Sequence, residues 1–270
     1  MTQEILVLGA TGKTGRRVVE ALRARRVSVR AASRSSEVRF DWSDEQTWKP
    51  ALSGAGAAYV IAPDDPAAAA PFVAAAEEAG VRLVLLSGRS LDQIRPDVFA
   101  GMHAAEAAVR ASTVPWTILR ANNFAQNFSE ELWLHGIRSG RLALPVDDTP
   151  EPFVDVHDIA EAAALVLTTE GHEGKTYTLT GEPITFATAV AKIAQALNRQ
   201  VELETLTPAE YHEALVADGL PPEVATELNG MYEAMRQGLL ATPTDDVTRL
   251  LGRPPIAFSE YVAGALDAWR

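Results

Sequence analysis

Three glycines spaced three apart close the first apolar run of the chain. Glu4-Ile5-Leu6-Val7-Leu8 passes into Gly9-Ala10-Thr11-Gly12-Lys13-Thr14-Gly15, and Arg16-Arg17-Val18-Val19-Glu20-Ala21-Leu22 continues as an amphipathic helix. Strand, glycine loop and helix in that order are what a dinucleotide pyrophosphate needs. Gly9 permits the tight turn off the strand. Gly12 lacks a side chain where backbone must approach phosphate, and Gly15 lets the helix lie close on the sheet. The helix N-terminus adds free N–H groups and the positive end of its dipole. Thr11, Lys13 and Thr14 join the glycines as candidate contacts. An ordinary glycine-rich turn is the alternative; the complete strand-loop-helix context favours the nucleotide.

Apolar runs and helical patterns alternate from there. Strands are read at 3–8, 27–32, 38–40, 57–61, 81–86 and 116–119, with helices near 14–24, 44–51, 67–79 and 98–111 between them. Val81-Arg82-Leu83-Val84-Leu85-Leu86 and Trp116-Thr117-Ile118-Leu119 read as strands buried on both faces. Units of this length imply an α/β fold with a Rossmann-type, doubly wound parallel sheet. Ser43-Asp44-Glu45-Gln46 has the form of a capping box opening the second helix. Past residue 120 helices dominate, at about 126–138, 157–168, 185–197, 207–217, 222–237 and 259–269, with short strands near 153–155, 176–179 and 201–204. The expected division is a nucleotide-binding domain over 1–150 that also takes in roughly 153–180. A smaller, mostly helical substrate lobe over 181–270 is interwoven with it, since no clean linker or repeat separates the two.

The 270 residues are 47% hydrophobic and suffice for a sizeable core. Net charge is −12, and no basic cluster is longer than Arg23-Ala24-Arg25-Arg26. Nucleic acid is therefore not an expected partner, because phosphate contacts dominate that affinity. No run approaches the roughly 20 apolar residues that span a bilayer, and no charged leader precedes the first strand. A cytoplasmic protein with no membrane partner is the expectation. The absence of cysteine excludes disulfides and thiol chemistry. No His-Glu-x-x-His or comparable spacing occurs, so no metal site is expected.

The second strand ends in Ser33-Arg34-Ser35-Ser36 with no carboxylate at the corner where one would accept from a ribose 2′-OH. Arg34 instead offers a planar, permanent charge, and Ser33 a hydroxyl, which suits a 2′-phosphate. Lys13 adds a second cation. NADP(H) is thus preferred, with NAD(H) as the weaker alternative and a solvated turn arginine as the bland one. Asp41 and Trp42, after the third strand, can meet adenine, or serve as cap and core aromatic. Ala62 and Pro63 close the fourth strand at the edge where ligands lie.

Taken together these segments resemble the NmrA-like, atypical branch of the short-chain dehydrogenases, over nearly the whole chain. The glycine loop carries the resemblance, together with Leu119-Arg120-Ala121-Asn122-Asn123-Phe124-Ala125-Gln126-Asn127-Phe128 and Pro152-Phe153-Val154-Asp155-Val156-His157-Asp158-Ile159-Ala160. Ser33-Arg34-Ser35-Ser36, Phe40-Asp41-Trp42 and Gly252-Arg253-Pro254-Pro255 are similar to bacterial relatives of ergot-alkaloid-type reductases and to NAD(P)H:quinone oxidoreductases. The resemblance implies an oxidoreductase acting on a small molecule, and a homodimer as a family-level expectation. One departure matters. None of the five tyrosines, Tyr59, Tyr177, Tyr211, Tyr232 and Tyr261, has a lysine four residues on, so the Tyr-Lys route to ketone reduction is doubtful here. Hydride transfer to a quinone, enone or imine, which needs little acid catalysis, remains open. So does a non-catalytic NADP(H) redox sensor acting through a protein partner.

Candidates for the chemistry follow. Ser87, at the end of the fifth strand, can bond a substrate oxygen or the nicotinamide carboxamide, or merely cap a turn. His103 is the best acid by type, and related enzymes place a Lys or His near it; an exposed histidine is its rival reading. Asn122 and Phe124 are read as cofactor contacts, with Asn123 and Asn127 as substrate contacts. Asp155, His157 and Asp158 are expected to stabilise a turn and cap a helix. Met231 and Tyr232, on a helix of the lobe, are read as lining an apolar pocket, against a core reading for each alone.

Overall fold

The period of two along the first strand decides the layering. The computed structural model describes residues 4–270; position 3, where the sequence starts that strand, lies outside them. In β1 (Glu4–Leu8) Ile5 and Val7 enter one core, and Leu6 and Leu8 enter another. All four are buried, so the strand is covered on both faces. α1 (Gly15–Ala24) brings Val18, Val19 and Leu22 to the first core. After β2 (Val29–Ser33) and β3 (Val38–Arg39) come α2 (Trp48–Leu52), β4 (Ala55–Ile61), α3 (Ala69–Ala79), β5 (Arg82–Gly88), α4 (Ala100–Ala111) and β6 (Trp116–Ala121). Trp48, Phe72 and Val109 from the three later helices fill the second core.

Beyond β6 lie α5 (Leu134–Ser139), β7 (Arg141–Leu144) and β8 (Glu151–Pro152). The chain then returns as α6 (Val156–Thr168), beside α1, and adds β9 (Lys175–Leu179) to the sheet edge. Seven strands run parallel in the order β3-β2-β1-β4-β5-β6-β9. The chain steps outward from β1 to β3 and then jumps back past β1 to β4, which opens a crevice at the carboxyl ends of those two strands. This is the doubly wound Rossmann arrangement expected from the sequence.

The remaining elements are β10 (Pro183–Ile184), α7 (Phe186–Leu197), β11 (Glu202–Thr205), α8 (Pro208–Ala217), α9 (Pro222–Arg236), α10 (Asp246–Leu251) and α11 (Phe258–Trp269). β11 pairs with β7 and β10 with β8, which ties this lobe to the chain before residue 153. Its core is aromatic: the Phe128 ring lies 4.6 Å from Trp133 and 5.3 Å from Phe153. Residues 125–146 pack here rather than with the rest of 1–150, because Phe128, Trp133, Ile137 and Leu142 find their partners on α7, α9 and α11. α10 goes the other way, and Val247 joins the core between α1 and α6.

Several local readings change. The strand read near 153–155 gives way to β8 at Glu151–Pro152, with Val154 making only an isolated bridge to Phe124. The single helix read over 126–138 is split into a 3₁₀ turn at Ala125–Phe128 and α5, with Glu131 at φ 65° between them. Asp44, not Ser43, caps the turn before α2 by accepting from Gln46 N–H at 3.3 Å, while the Ser43 hydroxyl turns back to Asp41. α4 starts at Ala100, because Phe99 at φ 59° breaks the helical path before it. Among the described residues no helix is long and apolar enough to cross a membrane.

Candidate functional site

The glycine loop is as tight as its spacing demands. Gly9 sits at φ +62°, and Gly12 N–H donates to Gly9 O at 2.8 Å. A Cβ on Gly15 would lie 2.2 Å from Gly9 O and 2.7 Å from Gly9 C, so only glycine lets α1 start there. Thr11 and Gly12 are exposed on the rim, where phosphate oxygens would meet backbone N–H groups. Thr14 is buried beneath them, so Thr11 carries the open hydroxyl of the loop. Lys13 does not turn to the ribose corner. Its Nζ donates to Asn127 Oδ1 at 2.7 Å, pairs with Glu131 at 3.4 Å and stands over the Phe124 ring. Burial lowers its pKa, with Glu131 opposing.

At the end of β2 the Ser33 hydroxyl lies 2.6 Å from that of Ser36 and accepts from Ser35 N–H at 3.2 Å. Arg34 is exposed beside this turn and makes no ion pair among the described residues. The open guanidinium and hydroxyl-lined turn fit a phosphate. Asp41 spends Oδ1 on Ser43 N–H and hydroxyl, at 3.1 and 2.8 Å. Trp42 is half-buried, with its ring edge-on to Phe40, Trp48 and Phe72. Core packing therefore holds the aromatic ring expected to border the nucleotide.

A cleft of about 190 Å³ opens at the carboxyl ends of β4, β5 and β6. Ala62, Ser87, Asn122, Asn123, Phe124, Asn127 and Met231 all line it, as their positions after strands or on α9 suggested. Among the described residues the Ser87 hydroxyl is buried and makes no regular hydrogen bond, though it lies near enough to the Glu106 carboxylate to help hold its pKa down. Pro63 is buried, and its carbonyl lies where a side chain on Gly101 would stand. Ile61, Leu86, Phe99, Met102 and Leu240 complete an apolar wall. No tyrosine lines the cleft among the described residues, and no cluster of three or more acidic or histidine side chains could hold a metal.

Two expectations are corrected. His103 does not line the cleft. Successive helix positions differ by about 100°, and α4 presents Met102 there instead, leaving the His103 Nε2 buried without a partner among the described residues. Tyr232 is 0% exposed, its hydroxyl accepts from Trp133 Nε1 at 2.8 Å, and its ring packs edge-on against Tyr211. It belongs to the lobe core. Tyr232→Phe leaves that indole N–H buried and unpaired, so urea unfolding should show a loss of about 1–3 kcal/mol with little change in kinetics; unchanged stability would refute the role.

The sequence reading missed Arg89, which donates to Leu240 O at 2.7 Å and also to Thr242 O, tying the end of β5 to the segment after α9. It also missed Glu151, 1% exposed, whose Oε1 accepts from Asn122 Nδ2 at 2.6 Å and Asn123 Nδ2 at 2.7 Å. Burial pushes this carboxyl up to about 7, against the opposing pull of Asn123 and Arg89. Glu106, under the same strand ends, behaves oppositely. Burial works to raise it, but a two-pronged bond from Arg120, both contacts at 2.8 Å, holds it below the usual range. A lone carboxylate before a proline carries no sequence signal; only its amide partners across 28 and 29 residues reveal it.

A glycine loop at the switch point of a doubly wound parallel sheet, with an open Arg34 corner after β2 and an apolar cleft at the strand ends, defines a dinucleotide-binding α/β protein. The model of the NmrA-like family matches residues 1–247, and the chain belongs to that family. It is 34% identical over 286 residues to a (4-alkanoyl-5-oxo-2,5-dihydrofuran-3-yl)methyl phosphate reductase of Streptomyces griseus, covering 98% of this chain and 99% of that protein. Among solved structures, Citrobacter sp. triphenylmethane reductase complexed with NADP(H) superposes with a TM-score of 0.83 at 26% identity, covering 97% of this chain and 100% of that one. The NADPH complex of the quinone oxidoreductase QOR2 of Escherichia coli gives 0.83 at 25%, covering 96% and 99%.

Proposed function

We propose that the protein is an NADPH-dependent reductase that delivers hydride to a small, apolar, electron-poor acceptor such as a quinone, enone or imine. The observation that carries this reading is the placement of an apolar cleft, free of tyrosine, at the strand ends beside the glycine loop. The relatives named as reductases support turnover over a pure sensing role. The name of the Streptomyces protein contains a dihydrofuranone, itself an unsaturated lactone, in keeping with an enone acceptor.

Thr11 and the backbone N–H groups of Lys13 to Gly15 would hold the pyrophosphate, and Ser33 and Arg34 the 2′-phosphate. Bound NADPH supplies the hydride. Phe124, Met102 and Met231 exclude water and keep a flat acceptor in place, so catalysis rests on orientation. Ser87 offers a buried hydroxyl that can donate to an acceptor oxygen. No proton is routed through His103, which does not line the cleft; an electron-poor acceptor can take its proton from water after hydride arrives.

The test is NADPH oxidation with a panel of quinones, enones and imines, which should show turnover with at least one class; binding without turnover anywhere would favour the sensor. Arg34→Ala should weaken NADPH binding by about tenfold, the worth of one exposed charge-assisted contact, and leave NADH binding unchanged. Equal losses for both cofactors would place the 2′-phosphate elsewhere.

A further inference from the structure

The polar groups of the cleft are mainly carboxamides, and their partners fix which end of each faces inward. An ionised carboxylate only accepts, so the atoms that Asn122 and Asn123 turn to Glu151 must be Nδ2. A lysine ammonium only donates, so the Asn127 atom facing Lys13 at 2.7 Å must be Oδ1. Asn122 has both ends engaged, because its Oδ1 faces Arg89 Nη1 at 3.4 Å. Asn123 Oδ1 and Asn127 Nδ2 make no hydrogen bond among the described residues, and both residues line the cleft. Beside the Ser87 hydroxyl, the three carboxamides thus leave the cleft one free acceptor and one free donor, each held from behind by a buried or half-buried charge.

Resting on the reductase reading, we propose that Glu151 and Lys13 are positioning residues that lock Asn123 and Asn127 in opposite senses, so that the cleft receives a carboxamide or imide group, an N–H beside a C=O. Two bound molecules can bring that group: the nicotinamide end of the cofactor, or an amide-bearing acceptor. The lock is conditional on charge. Facing Glu151 are Arg89 from the end of β5, the two amides after β6, and the apolar Ile184 paired with it from β10. Since burial raises this carboxyl to about 7, protonation near neutrality gives it a donor and removes the demand for Nδ2. The lock loosens as pH falls through that value.

The experiment compares two ligand pairs on the full chain, each differing in the N–H alone. Fluorescence titration sets NADP+ against its acetylpyridine analogue, in which methyl replaces the amide nitrogen. Steady-state reduction sets maleimide against N-methylmaleimide, electron-poor enones usable because the chain has no cysteine to alkylate. About a tenfold preference for the N–H form in the first pair assigns the site to the nicotinamide, and in the second, through KM, to the acceptor. Asn123→Leu should erase the preference, and so should Glu151→Leu. Glu151→Gln keeps an accepting oxygen without titrating, so it should retain the preference and lose its pH dependence between pH 6 and 8. Because Asn123 is half-buried, its variant reads the site even where Glu151→Leu fails to fold. If NADPH binds and either enone turns over, yet neither pair is discriminated, the proposal is overturned and the reductase reading stands. If NADPH does not bind at all, both fall.

Discussion

Gly15→Ala should weaken NADPH binding by about a hundredfold and lower the melting temperature together, a double loss that Gly12→Ala should not reproduce. The added Cβ would lie 2.2 Å from Gly9 O, 2.7 Å from Gly9 C and 3.2 Å from Ala10 Cα. All three are backbone atoms, so no side-chain rotation relieves the clash. Either α1 slides away from β1 or the loop opens, and both move the N–H groups that would face phosphate. Overpacking of this kind costs about 3 kcal/mol at the upper end of the usual range, which is the stated factor when it falls on binding. At Gly12 the Cβ would meet only Gly9 O, at 3.2 Å, and would otherwise project from the exposed rim. That substitution should obstruct the ligand and leave the melting temperature nearly unchanged. Differential scanning calorimetry beside NADPH titration separates the two, and equal behaviour of both variants would contradict the division of labour between these glycines.

Gly101→Ala should be strongly destabilising. Its Cβ would lie 1.8 Å from Pro63 O and 3.0 Å from both Pro63 C and Asp64 O. The first turn of α4 rests directly on the backbone leaving β4, and that close approach sets where Met102 and Phe99 stand in the cleft. A loss of about 3 kcal/mol is expected, and about 2–4 °C per kcal/mol for a chain this long makes it a drop of roughly 6–12 °C. kcat/KM for the acceptor should fall with it, since α4 must move outward. A melting temperature within a degree of wild type would show that α4 is not seated as described.

What the sequence exposed and what it hid follow from the range of the interactions. β1, β4, β5 and β6 were legible because strands buried on both faces read as unbroken apolar runs, and the parallel order then fixed which ends carry ligands. Ser87, Asn122, Asn123, Phe124 and Asn127 were found for that reason, since Ser87 sits at the carboxyl end of β5 and the others lie within six residues of the end of β6. Helix phase was harder. Met102 and His103 are neighbours on α4, and with alanines around both faces nothing local says which one meets the cleft. The lobe hid more: β7 is four residues long, and Trp133 finds its partner Tyr232 99 residues away. Arg89 reaches Leu240 across 151 residues, and Glu151 matters only through amides that folding brings over it. Contacts of that separation leave no periodicity to read. The capping box failed for a local reason, because Asp41 drew the Ser43 hydroxyl away from the helix.

Calorimetric titration of the purified chain with NADPH and NADH tests the central claim most directly, because every role assigned to the glycine loop, Arg34 and the cleft needs the phosphorylated cofactor in place. The expected result is one site per chain with NADPH bound at least tenfold more tightly than NADH, the margin one charge-assisted phosphate contact supplies. No heat from either cofactor at millimolar concentration, or tighter binding of NADH, would contradict it.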